Sequence, residues 1–127
     1  MDTRHFTFAL RHHVVADTLL IEFHGELDAW ADLELAPRVA ALLRRRRRAV
    51  LVDLRSVTFL DAGGLRLLLR ISERSPRRKG RVRLVLDSPQ ILRVLRITGV
   101  DGVFTVLGEL PVPFAANDTP DDTDVPA

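Results

Sequence analysis

Apolar and polar residues change period several times along the chain, and each change marks an element. Phe6, Phe8 and Leu10 alternate with Thr7 and Ala9, the period of two of a half-buried strand. The charged segment Arg11–Asp17 then reads as a turn. Thr18–Phe23 is apolar on both faces and predicts an interior strand, closed in a loop by Gly25 and Asp28. From about Ala31 to Arg44, Leu35, Val39, Leu42 and Leu43 recur at helical spacing. Asp32 and Glu34 stand in the first turn of that helix and arginines in its last, an order that suits the helix dipole.

Ala49–Leu54 is a short β-branched run bounded by charge, as in a buried parallel strand. Arg55–Leu60 leads to Asp61-Ala62-Gly63-Gly64 and then to a helical pattern at Leu65, Leu68, Leu69 and Ile71 that ends at Pro76. After a basic turn at Arg77–Gly80, Val82–Leu86 alternates with arginine as a strand would. Ser88-Pro89 caps a helix with apolar Ile91, Leu92, Val94 and Leu95, stopped by Gly99, and Val103–Leu107 is the last strand. The order β-β-α-β-α-β-α-β predicts an α/β fold: a mixed, mainly parallel sheet of four to five strands with three helices, headed by a hairpin-like strand pair. Residues 1–110 form the domain, and the proline- and aspartate-rich 111–127 is predicted to be a disordered acidic tail.

Composition narrows the classes of function. A chain of 127 residues with 46% hydrophobic and 28% charged residues is one soluble domain. No apolar run reaches the roughly 20 residues that cross a bilayer, and no leader-like stretch follows the N-terminus, so a cytoplasmic protein without membrane insertion is expected. Without cysteine there is no disulfide framework, thiolate nucleophile or Cys-type zinc site. The net charge of +2 conceals a polarity: 117–127 holds four aspartates and no base, so the remaining residues carry +6.

Open α/β sheets gather binding sites at the carboxyl ends of their strands, here the loops Gly25–Trp30 and Phe59–Leu65. Asp61 is placed to N-cap the following helix. Gly63 and Gly64 either relieve packing at that helix start or leave it bare, open to another backbone or an anion. Asp28 is a loop cap by the plain reading, and Trp30 is either a partner anchor or a staple against its own core. His5, His12, His13 and His24 lack metal spacing, and no serine elbow or phosphate-binding loop is present, so no catalytic residue, metal or cofactor is assigned. The run Arg44–Arg48 reads as a solvated helix end rather than a nucleic-acid patch, because no stacking aromatics or helix-turn-helix pattern accompany it.

Three stretches also carry a family likeness in order and spacing: Gly25-Glu26-Leu27-Asp28, Val50–Leu65 and Ser88–Phe104. Together they resemble the STAS domain of the anti-sigma factor antagonists across about residues 6–107. The resemblance implies a non-enzymatic regulatory module that binds an anti-sigma factor with a serine-kinase fold and so frees a sigma factor for transcription. It implies a partner-binding surface that includes Asp28, Asp61, Ala62, Gly63, Gly64 and Leu65, to which Trp30 is a candidate addition. In that family a serine directly after the motif aspartate is phosphorylated; Ala62 stands there, so no phosphorylation site is carried over. An alternative is a STAS subunit of a larger assembly, such as a lipid-transport ABC system or a stress-sensing complex. A third, a small nucleotide-binding enzyme using the Gly63-Gly64 helix start, lacks a general base or nucleophile. Homodimerisation through the first strand stays open.

Overall fold

The computed structural model describes residues 7–75, 82–112, 114 and 122–124. Strands and helices follow the predicted order: β1 (Phe8–Val15), β2 (Thr18–Leu27), α1 (Ala29–Arg44), β3 (Ala49–Leu60), α2 (Ala62–Arg74), β4 (Arg83–Val85), α3 (Pro89–Ile97) and β5 (Thr105–Leu107). A sixth short strand, β6 (Asp122–Asp124), adds to the four to five that the sequence predicts. The sheet order is β5-β4-β3-β2-β1-β6, with β2 through β5 parallel and β1 antiparallel to both of its neighbours.

Alternation along the strands divides the interior into two layers. Leu19, Ile21 and Phe23 of β2 and Val50, Val52 and Leu54 of β3 pack with the apolar faces of all three helices. Leu20, Leu51 and Val85 point the other way and meet Phe114. All three helices therefore lie on one face of the sheet, as a run of βα units advancing in one direction requires. The helices start and stop where local chemistry directs: Ser88 Oγ accepts from the Ile91 N–H at 3.3 Å with Pro89 in the first turn, and Gly99 turns left-handed (φ 76) beyond α3.

Three expectations need correction. The stretch Arg11–Asp17 is not a turn: β1 continues to Val15 in register with β2, with Arg11 opposite Glu22, and the turn is only Ala16-Asp17. The run Arg11-His12-His13 carries no period of two, so the strand pattern visible at Phe8 and Leu10 is lost there although the pairing continues. Second, β2 and β3 run past Phe23 and Leu54 to Leu27 and Leu60. Two register shifts let β3 gain a residue on β2 each time, so Leu54, Val57 and Leu60 stay inward while Arg55, Ser56, Thr58 and Phe59 are exposed, a spacing that hides the strand from a period-two reading. Third, Val103 belongs to a 3-10 turn (Val100–Val103), leaving only Thr105–Leu107 as strand. Within 111–127, Phe114 is buried and Asp122–Asp124 pairs with β1. The predicted turn at Arg77–Gly80 lies outside the described residues.

The arginine run is tied to the hairpin. The Arg48 N–H donates to the Asp17 carbonyl (3.0 Å) and to its Oδ2 (3.1 Å), and Arg47 Nη1 stands 3.8 Å from Asp17 Oδ1. Arg44, the last residue of α1, and Arg45 and Arg46 just beyond it are exposed, where positive charge meets the negative dipole terminus.

Both residues of the β1–β2 turn have positive φ, 52 at Ala16 and 62 at Asp17, the conformation that two-residue hairpins demand. Aspartate tolerates it; alanine places a Cβ against its own carbonyl. Replacing Ala16 by glycine is therefore expected to raise stability by about 1 kcal/mol, read as a higher urea midpoint at unchanged slope. A lowered midpoint contradicts this account of the turn.

Candidate partner-docking site

Parallel pairing of β2 and β3 ends with Leu27 opposite Leu60, so the next residue of each strand, Asp28 and Asp61, begins a helix side by side with the other. The two aspartates adopt nearly the same backbone (φ −120, ψ −168 and φ −121, ψ −166) and do the same work. Asp28 Oδ1 accepts from the Ala31 N–H at 2.9 Å; Asp61 Oδ1 accepts from the N–H groups of Gly63 at 2.8 Å and Gly64 at 3.3 Å. Each satisfies donors that a helix start leaves without intrahelical partners. A backbone bond from the Asp61 N–H to the Leu27 carbonyl (3.2 Å) then locks one strand end to the other.

The glycines explain how close these two helix starts lie. A Cβ on Gly63 would overlap the N and Cα of Ala29 and come within 2.7 Å of the Asp28 carbonyl carbon. One on Gly64 would overlap the Leu27 carbonyl oxygen and reach 2.5 Å from Leu60 Cδ1. Of the two readings of Gly63-Gly64, the structure chooses packing: the close approach they permit is made by the chain's own backbone. Gly63, Gly64 and Leu65, expected within the contact surface, are buried. Their burial follows from the same parallel pairing that brings the two helix starts together.

What faces outward is different. Ala62, the first residue of α2, is exposed, and Trp30 on α1 is 49% exposed. Ala62 immediately precedes Gly63 and Trp30 immediately follows Ala29, so the Gly63–Ala29 contact sets their relation to one another. Leu33 of α1, 74% exposed, and Phe59 near the end of β3, 48% exposed, add apolar surface that the sequence pattern did not single out. Leu33 falls out of the Ala31-Leu35-Val39 stripe, and that is the signal by which it could have been found. Asp28 and Asp61 are half-buried, with their carboxylates engaged as caps.

An ion pair behind the clamp, also missed from sequence, fixes the same two helices. Asp32, 5% exposed on α1, accepts from Arg70 of α2 (Nε to Oδ1 3.0 Å, Nη2 to Oδ2 3.4 Å), and Arg66 Nη1 approaches to 3.6 Å. The hydrogen bond with Asp32, reinforced by its charge, raises the Arg70 pKa above the usual guanidinium value. Arg66 and Arg70 are one helical turn apart, so one buried carboxylate meets both. On the helix-free face, Asp53 is held by Arg55 (Nε to Oδ1 3.0 Å, Nη2 to Oδ2 2.9 Å), and this hydrogen bond raises the Arg55 pKa.

Residues 9–111 match the STAS domain family. The chain belongs to that family. Its fold recurs in the crystal structure of an anti-sigma factor antagonist from Mycobacterium paratuberculosis, at 22% identity and TM-score 0.76, covering 88% of this chain and 95% of that one. It recurs in the anti-sigma factor antagonist SpoIIAA in its unphosphorylated form (19% identity, TM-score 0.63, 87% and 96% of the two chains). The phosphorylated form of the Bacillus cell fate determinant SpoIIAA is likewise similar (21% identity, TM-score 0.60, 80% and 93%). No curated protein matches the sequence. At these identities the likeness establishes the STAS fold, in which the sequence reading of an α/β domain with three helices is borne out.

The clamp makes a direct prediction for the STAS domain described here. Gly63→Ala and Gly64→Ala must push apart backbone that has no flexible side chain to yield, and each is expected to cost about 3 kcal/mol, whereas Ala62→Ser, on the exposed side, should be nearly neutral. Thermal unfolding of the three variants provides the check; a Gly63→Ala protein as stable as the parent contradicts the clamp.

Proposed function

We propose that this STAS domain is a non-enzymatic binding module that engages an anti-sigma factor with a serine-kinase fold and thereby frees a sigma factor for transcription. The observation that carries the reading is the pair of exposed residues, Trp30 and Ala62, held in fixed relation at the carboxyl ends of β2 and β3. Ligands of open α/β sheets gather at that end. A half-exposed tryptophan is the residue type most enriched at interface hot spots, and Leu33 and Phe59 extend the apolar surface on α1 and near the end of β3. Asp28 and Asp61 enter the interface through their neighbours, since their carboxylates cap the helices that present those neighbours. Family membership and the likeness to anti-sigma factor antagonists support the choice of partner class.

Ala62 determines how such an interface is regulated. A phosphoserine there would bring about −1.5 to −2 charges and three acceptor oxygens to a surface otherwise bordered by Trp30 and Leu33. Alanine has no hydroxyl to modify, so the chain behaves as the permanently unphosphorylated form and binds constitutively at this position. The exposed hydroxyls of Ser56 and Thr58 lie on β3, before the helix start.

Binding of the purified chain to kinase-fold anti-sigma factors from its own genome tests the reading. Trp30→Ala is expected to weaken the complex by about 2 kcal/mol, roughly thirtyfold. Ala62→Glu should weaken it comparably while leaving the fold intact, because a negative charge at a helix N-terminus favours the helix. Undiminished affinity in both variants would remove this surface from the interface, and failure of the parent chain to bind any such factor would remove the partner class.

A further inference from the structure

The helix-free face of the sheet carries an occupant from the same chain. Leu20, Leu51 and Val85, one from each of β2, β3 and β4, pack against Phe114, with Val15, Leu107 and Leu110 at the border. Phe114 is 3% exposed, although it comes seven residues after the end of β5 in a stretch rich in proline. Beside it lies His13 of β1, 2% exposed, its ring centroid 5.6 Å from that of Phe114. Neither Nδ1 nor Nε2 of His13 has a hydrogen-bond partner among the described residues. Apolar burial holds Phe114 down, and the unmet hydrogen-bonding capacity of the His13 ring beside it opposes this closed arrangement.

Eight residues after Phe114 the same segment meets the body again. Asp124, Thr123 and Asp122 pair antiparallel with Leu10, Arg11 and His12. This sets Asp122-Thr123-Asp124, from a part of the sequence that has no base between 117 and 127, against Leu10-Arg11-His12 of β1. An aromatic anchor in an apolar pocket and a short acidic strand added to a basic edge are the two components of strand-addition recognition: main-chain bonds supply affinity and the pocket supplies selectivity.

We propose that the helix-free face and the β1 edge form a docking site for an extended acidic peptide with an aromatic residue upstream, and that the chain's own C-terminal segment occupies it as a detachable strap. A partner segment of the same chemistry binds by displacing the strap, and the strap lowers its apparent affinity by the fraction of time the site stands open. This site is separate from the surface of Trp30 and Ala62 and does not depend on the anti-sigma reading.

A dye-labelled peptide of residues 108–127, titrated into the full-length chain by fluorescence anisotropy, tests the proposal. The Phe114→Ala chain is expected to bind it saturably and about tenfold more tightly than the parent chain does, and a peptide carrying Phe114→Ala should not bind. No binding to a Phe114→Ala chain that melts cooperatively, or equal binding to both chains, overturns the proposal. Chymotrypsin cleavage after Phe114 offers a second reading on chains that keep the strap. It should be slower in the parent chain than in the free peptide, and slower again by severalfold in His13→Leu. Cleavage of the parent chain as fast as the free peptide, or unaffected by His13→Leu, overturns it as well.

Discussion

Two helix starts in this protein meet backbone to backbone, and most of what is distinctive in the fold depends on that contact. Gly63 and Gly64 lack the one atom that would hold α2 away from Ala29 and Leu27. The parallel end of β2 and β3 brings the chains to the right place, the Asp61 N–H to Leu27 carbonyl bond fastens them, and the caps of Asp28 and Asp61 satisfy the donors that such close packing would otherwise leave dry. Asp32, bridging to Arg70 and Arg66 one turn deeper, keeps the helices from splaying. Each of these features is small alone, and they act on the same few residues.

From this constraint follows a division of roles along a short stretch of sequence. Within Asp61–Leu65 the aspartate caps, Ala62 faces solvent, and the next three residues are interior. The proposed docking surface is thus made of residues adjacent to the glycines, and the glycines act by setting the separation of the helices that carry Trp30 and Ala62. A hydroxyl at Ala62 would stand in the exposed position of the turn, whereas one residue later it would be buried.

Much of this was legible in the amino-acid order. The strand and helix alternation, the Ser88-Pro89 helix start, the left-handed stop at Gly99 and the capping role of Asp61 follow from local chemistry and are found as expected. Gly63-Gly64 admitted two readings because a glycine pair signals close approach without saying what approaches; the answer required knowing that β2 and β3 are neighbours. The same missing information hid Asp32, whose partners are 34 and 38 residues away on α2. β1 was misread past Leu10 because Arg11-His12-His13 carries no period of two, and β3 because its bulges replace a period of two by a period of three. Phe114, isolated among prolines, gave no periodic signal at all; only the apolar patch beneath it explains its burial.

Native-state hydrogen exchange at the two helix starts tests the central claim most directly. First-turn amides of a helix exchange freely unless they are capped and covered, so the N–H groups of Gly63, Gly64 and Ala31 report on the clamp itself. They are predicted to exchange only through opening that approaches global unfolding, together with the amides of β2 and β3. Exchange of Gly63 and Gly64 as fast as that of the exposed Gly102 would contradict the account.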